Sequence, residues 1–500
     1  MVKRHIILFF ILLSVLFSCT EKTEIPVIPQ NNISISIDLD SIVKRGRLIA
    51  VSDFNSTNYF VYKGEPMGFH YEMLKQFTEH IGVDLEIIRE NNPEKAVQLL
   101  NSGKADLLAL GFTVNSSAGE AIQFTEPIYE TRQMLVQRKP DNWRSMTAEV
   151  LDRHLIRNQL DLAGKTIYVQ AYSSHADRIR SLAREIGDSV SIIEVPYDSE
   201  ELIRNVADGI IEYTVSNENV AHVNSTFYNG IDINTPVSFP RYVVWGVRKE
   251  GSDRILDEFN RWVNGYRSSK SYAFLYAKYF KNSRSRIIVK SDYYTFMTGR
   301  ISKYDELIKS ASAEIGWDWR LLASLIYQES RFNPGVESRA GAYGLMQVMP
   351  GTGQRFGIDI TSSTANNVKA GISYIRWLQS LYESKVADEN ERIKFILASY
   401  NAGQGHVLDA IRLAGKNGMD PQRWNGSVEV WIQKKAEPQY YKDPVVKSGY
   451  FKGKETVNYV SEVLERYEHY KNIIPEEPKL NLTWNSRRAY VSIDSLVFID

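Results

Sequence analysis

Between residues 47 and 215, short apolar runs alternate with amphipathic helical patterns, and the alternation occurs twice. Residues 47–51 (RLIAV) read as a strand, 71–81 as a helix, 83–88 (VDLEII) as a strand, 96–101 as a helix and 105–110 (ADLLAL) as a strand. The second set repeats the order with 165–170 (KTIYVQ), 174–186, 190–195 (VSIIEV), 199–207 and 210–215 (IIEYTV). Strands separated by helices pair in parallel with the helices packed on the faces of the sheet. Two such sets predict two lobes. From residue 304 onward only helical periodicity remains, over 304–315, 319–330, 368–382, 391–400 and 454–470. A chain of 500 residues is too long for one core. The expectation is therefore a multidomain protein, an α/β bilobal unit followed by a mainly α unit.

Charge narrows the function classes. Sixty Lys and Arg balance sixty Asp and Glu, which gives no electrostatic footprint for nucleic acid and no acidic tail. The only cysteine is Cys19, so an internal disulfide is excluded. It follows a basic start at Lys3 and Arg4 and an apolar stretch over residues 6–17, too short to span a bilayer comfortably. Residues 1–18 read as an export signal and 19–43, polar and with two prolines, as a tether. The run Leu16-Phe17-Ser18-Cys19 resembles a bacterial lipobox, with Phe17 uncommon at its position; the resemblance implies lipidation of Cys19. An uncleaved membrane anchor or ordinary secretion are the alternatives.

In the helical half, Leu322, Leu325, Ile326 and Glu329 fall at i, i+3, i+4 and i+7, so a carboxyl occupies a place where the stripe predicts another hydrophobe. Burial disfavours the carboxylate and raises its pKa, which suits a general acid. The plainer alternative is a surface glutamate paired with Arg331 or Arg339. Around it stand YQESRFNPGVESRAGAYGLMQVMP (327–350), ASYNAG (398–403) and ETVNYV (455–460). These three blocks in this order resemble the goose-lysozyme-like soluble lytic transglycosylase domain.

That resemblance implies a lysozyme-like fold and cleavage of the MurNAc-GlcNAc β-1,4 bond of peptidoglycan glycan strands to 1,6-anhydroMurNAc ends. Glu329 would be the catalytic acid and then base. Ser338, Gln347, Met349, Tyr400 and Glu455 would contact or frame the substrate, and Gly341 and Gly344 would let the backbone approach. A salt bridge to a local lysine is the alternative for Glu455. Asn401 and Gly403 read as a helix C-cap. Glycosidases normally use two carboxyls, and nothing in the motif demands that Glu337 be the second. The implied chemistry needs no cofactor and no metal. A water-using muramidase, or an envelope binding or sensor lipoprotein without activity, are the competing readings.

The α/β half has its own resemblance. GEPMGFHYEMLKQF (64–77), GKADLLALGFTVNSSAGEAIQFTEPIY (103–129) and LAGKTIYVQAYSS (162–174) are similar to family 3 solute-binding proteins, the periplasmic clamps for amino acids. The clamp is placed at residues 44–270, with lobe one at 44–132 plus a return over 235–266. A linker over 271–298, a transglycosylase domain over 299–475 and a tail over 476–500 follow. Clamp then transglycosylase is the order of the membrane-bound lytic murein transglycosylase F family. That implies an envelope protein, lipid-anchored at the outer membrane and facing the periplasm. Two positions depart from the clamp family. The arginine that would fork onto a ligand carboxylate is Ala118, and the acid that would hold a ligand ammonium is Asn217, so free amino acids are not expected to bind in the usual mode. A cell-wall peptide or muropeptide as a regulatory ligand is one alternative, a ligandless spacer the other.

Overall fold

A computed structural model of the chain describes residues 37–114, 117–187, 190–281 and 299–474. The lipobox with Cys19, most of the tether, residues 282–298 of the expected linker and the tail lie outside them. Among the described residues, no helix is long and apolar enough to cross a membrane.

The first lobe forms around β1 (Arg47–Ser52), which pairs in parallel with β4 (Asp84–Arg89) and with β5 (Leu107–Thr113). The short β2 (Phe60–Tyr62) and β3 (Glu65–Met67) make a separate hairpin. Beside β5 runs the antiparallel β13 (Arg241–Arg248), which also pairs with β6 (Ile122–Phe124) and β7 (Tyr129–Thr131). The second lobe has the strand order β10-β9-β11-β8-β12, with β8 (Gln133–Arg138), β9 (Thr166–Gln170), β10 (Ser191–Val195), β11 (Tyr213–Asn217) and β12 (Ile231–Pro236). The chain passes from lobe to lobe between β7 and β8 and returns between β12 and β13. A bilobal α/β clamp results.

Local chemistry shifts three boundaries from the sequence reading. The strand expected at 105–110 starts at Leu107, because the buried Asp106 carboxylate is committed to the Ile49 N–H at 2.8 Å and to Arg45. The strand expected at 210–215 starts at Tyr213. Ile210 and Ile211 still close the preceding helix through their N–H groups to Asn205 O, and Ile210 stays 70% exposed. The linker expected from 271 begins later. The Lys270–Tyr276 helix and the turn Ala277–Lys281 lay Tyr272, Tyr276 and Phe280 around Phe69, with the Phe280 ring 4.7 Å away. Aromatic burial of this size is enough to make the segment part of the lobe.

In the helical domain the Trp319–Ser330 helix starts at Asp318, whose side chain accepts from the Arg320 N–H. Leu321, Leu322, Leu325 and Ile326 are buried, and the helix packs along the Lys454–Ile473 helix, with Ser324 Oγ donating to Val463 O at 2.6 Å. The same long helix continues into lobe one. Tyr59 Oη and His469 Nδ1 lie 2.7 Å apart, Tyr470 Oη donates to Gly64 O at 2.8 Å, and Asn472 Nδ2 donates to Ile87 O. From the other helix Tyr327 Oη donates to Glu65 Oε1. Gly64 is required at this junction, since a Cβ there would lie 2.5 Å from the Tyr327 ring and its φ is +83°. Many of the buried residues of lobe one, Phe69 and Trp245 among them, form one continuous apolar cluster with those of the helical domain.

Candidate active site

Glu329 lies in the last turn of the Trp319–Ser330 helix, on the stripe that Leu322, Leu325 and Ile326 continue inward. Burial pushes its carboxyl up from 4.5 to about 7, and a hydrogen bond from Tyr459 opposes that rise in part. Tyr459 Oη donates to Glu329 Oε1. The helix stops at once. Arg331 and Phe332 both take left-handed backbone, φ 51° and 59°, which turns the chain out beside the carboxyl.

The segment that follows is a tight double turn. Ser338 N–H donates to Ala342 O at 2.8 Å, Ser338 Oγ accepts from the Ala342 N–H, and Tyr343 pairs with Val348. Gly344, with φ +79°, would bring a Cβ to 2.4 Å from the Asn367 amide, and Asn367 uses that closeness to bind Tyr343 O and the Met346 N–H. Gln347 has φ 46°, and its Nε2 donates to Val336 O and Gly344 O at 3.0 Å. Ser330 Oγ ties the turn to the helix through Leu345 O at 2.7 Å. Strain of this kind, about 1–3 kcal/mol for each non-glycine left-handed residue, persists only where surroundings hold it. Met349 stands at the rim, 44% exposed.

Tyr400 lies inside the Glu389–Ala402 helix and donates to Met346 O at 2.8 Å. Burial raises its phenol well above 10, and the Glu329 charge adds to that. Tyr400 and Glu329 therefore share one electrostatic environment. Gly403 ends this helix, but Asn401 is within it and is not a cap. Its Oδ1 instead accepts from Thr456 Oγ1 at 2.7 Å, because the Lys454–Ile473 helix lies alongside and offers a buried hydroxyl. Glu455 is exposed in the first turn of that helix and has no ion pair among the described residues, so the salt bridge considered for it does not form. Glu337 is exposed as well.

Glu329, Tyr400 and the Gln347 turn thus meet at one place, with Ser338 shaping the turn, Met349 at its rim and Glu455 on the outer side of the neighbouring helix. Sequence reasoning missed Tyr459 and Thr456. Thr456, Tyr459, Val460 and Val463 make an i, i+3, i+4, i+7 stripe, and two hydroxyls on a buried stripe are the signal that could have found them. Among the described residues no group of three or more His, Cys, Asp or Glu side chains could hold a metal ion.

In the clamp, Asn217 ends β11 and lines the cleft between the lobes, its Oδ1 3.3 Å from His175 Nε2. Ala118 sits in a short turn packed on lobe-one hydrophobic residues.

Two family models match the chain: bacterial extracellular solute-binding proteins, family 3, over residues 48–282, and the transglycosylase SLT domain over residues 306–422. A membrane-bound lytic murein transglycosylase F of Desulfosudis oleivorans is 31% identical over 429 residues, covering 85% of this chain and 90% of the relative. The protein of the same name from Shewanella woodyi is 29% identical, with 80% of each chain covered. That from Pseudomonas fluorescens is 26% identical, with 86% of each covered.

Proposed function

The chain belongs to the membrane-bound lytic murein transglycosylase F family and is a peptidoglycan lytic transglycosylase, and from that premise we propose that Glu329 alone carries the proton traffic of a non-hydrolytic cleavage. Protonated Glu329 gives its proton to the oxygen linking MurNAc to GlcNAc, and the C1–O bond breaks with the electron pair leaving on that oxygen. The muramic C6 hydroxyl then attacks C1, and the Glu329 carboxylate takes its proton. No water is added, and the product ends in 1,6-anhydroMurNAc. The observation that carries this reading is a single carboxyl held near neutrality by burial, hydrogen-bonded by a phenol. A group that is first acid and then base works best with a pKa close to ambient pH.

Ser338, Gln347, Met349, Tyr400 and Glu455 frame the glycan in this proposal. Tyr400 adds electron density beside the cationic centre without ionising, since its phenol stays protonated. Mass spectrometry of murein digested by the purified protein tests the reaction. Anhydro ends, lighter than reducing ends by the mass of water, are expected; reducing ends alone would make the protein a muramidase and overturn the proposal.

The clamp regulates this site in the same proposal, by binding a cell-wall peptide or muropeptide. Support comes from the Lys454–Ile473 helix, which carries Tyr459 at the Glu329 carboxyl and His469 and Tyr470 in lobe one. A change in how lobe one seats that helix alters the partner of the catalytic carboxyl.

Lipidation at Cys19, with residence at the outer membrane facing the periplasm, completes the reading. Acyl chains contribute about 0.8 kcal/mol per buried methylene, so two or more hold a protein stably on a bilayer. Cys19→Ala is expected to leave an unprocessed precursor or to move the protein from the membrane to the soluble fraction. Cell fractionation with a mass measurement checks it, and a processed variant that stays on the membrane would assign the anchor elsewhere.

A further inference from the structure

A cavity of about 80 Å³ lies between the two lobes of the clamp. Three carboxylates, Asp53, Asp198 and Glu200, face it, and no lysine or arginine lines it among the described residues. Amides already hold part of each acid. Asn58 Nδ2 donates to both Asp53 oxygens, Asn91 Nδ2 donates to Asp198 Oδ2 at 2.6 Å, and Glu200 Oε1 accepts from the Ser56 N–H at 3.0 Å. Several polar atoms of the wall lack a hydrogen-bond partner among the described residues, among them His175 Nδ1 and Ser216 Oγ, whose residues are only 7% and 0% exposed.

Buried polar atoms left without partners are rare in native proteins, and several in one small cavity point to a ligand that supplies them. The charge of the wall says what kind. Burial is the largest influence on both Asp53 and Glu200 and pushes each carboxyl up to about 7, which sets them at the edge of ionisation. A cation between them favours the charged forms. His175, held neutral by burial with its pKa lowered to about 4, offers an imidazole and no competing charge. The other histidine near Asp53, His70, is likewise lowered to about 4 by burial. Arg89, whose charge reaches Asp198, is held over the Phe54 ring at 4.4 Å and donates to Ile473 O. A ligand carboxylate would meet three acids and no guanidinium.

We propose that the clamp cleft binds a small ligand group through a primary ammonium, received by Asp53, Asp198 and Glu200, and that it discriminates against a carboxylate on the same small group. This deepens the reading of the clamp as a ligand-binding unit and rests on it. The ammonium can belong to a free envelope amine or to the amino end of a wall fragment, and the two sources share the same recognition chemistry.

Titration calorimetry on the full chain separates the possibilities with three probes: 1,4-diaminobutane, ornithine, which adds one carboxylate to the same skeleton, and a stem peptide ending in lysine, whose side-chain amine has no carboxylate beside it. The diamine is expected to bind at least about tenfold more tightly than ornithine, the order of effect that an unpaired charge in a closed site produces. Ornithine binding as tightly as the diamine would overturn the discrimination against a carboxylate while leaving the clamp a binding unit. Silence from all three probes would overturn both. Stem-peptide binding that is lost when its free amine is acetylated assigns the wall as the source, whereas binding that survives acetylation refutes ammonium recognition. Glu200→Gln is expected to weaken the diamine by at least about tenfold, with a melting curve to verify the fold; unchanged affinity in a folded variant would refute the role of Glu200, and the comparison of wild-type ligands stands even where the variant does not fold.

Discussion

Glu329→Gln is expected to abolish murein cleavage and, at the same time, to make the folded protein more stable above pH 7. The amide nearly matches the carboxyl in shape and still accepts from Tyr459, but it cannot donate a proton and take one back. General acid and base assistance is worth about 10² to 10⁴ in rate, and one residue serving both roles puts the loss at the upper end or beyond. The stability change has the opposite sign. Glu329 titrates near 7 in the folded protein and near 4.5 when exposed, so between those values the folded state binds the proton that the unfolded state has released. Stability from this group is therefore full below about pH 4.5, falls as pH rises toward 7 and is flat above. A shift of that size corresponds to about 3 kcal/mol at 1.36 kcal/mol per unit, and the glutamine variant escapes it. Denaturant unfolding of both proteins at pH 5 and pH 8 is the measurement. A gain at pH 8 that shrinks at pH 5, together with lost turnover, is the expected pair; near-normal turnover would remove Glu329 from the mechanism.

This opposition explains why the buried carboxyl of Glu329 was legible in the sequence. A carboxyl on an apolar stripe contradicts the local pattern, and such contradictions collect at functional sites. The alternation of strand and helix gave both lobes for the same reason in reverse, since every local choice there agrees with the sheet. What stayed hidden depends on long-range packing. Tyr459 lies 130 residues beyond Glu329, and its role exists only because two helices lie side by side. Asn401 looked like a cap because a glycine, Gly403, stands two residues on, while its partner is Thr456 on another helix. Asp106 moved a strand boundary through an ion pair with Arg45, 61 positions earlier. The junction of lobe one with the helical domain, through Glu65, Tyr327 and Tyr470, leaves no local trace at all.

Tyr459→Phe tests whether the phenol tunes the acid or merely fills space. Two opposing influences set the Glu329 pKa, burial upward and the Tyr459 hydrogen bond downward. Removing the hydroxyl takes away a bond to a charged acceptor, worth about 1.5–3 kcal/mol, so the carboxyl is expected to rise by about one to two further units. Activity as an acid is lost when Glu329 deprotonates, which puts the alkaline limb of the kcat/KM profile near pH 7 in the wild type. In the variant that limb is expected to move upward by about one to two units, with a lower rate at the optimum because a carboxyl of higher pKa is the weaker acid toward the leaving oxygen. Stability follows the same charge: the variant resembles wild type below about pH 5, where both carry a neutral Glu329, and falls behind it as the wild-type carboxylate ionises. A Tyr459→Phe protein that loses activity equally at every pH, with its alkaline limb unmoved, would show that the ring packs the site and that the hydroxyl does not set the proton affinity of Glu329.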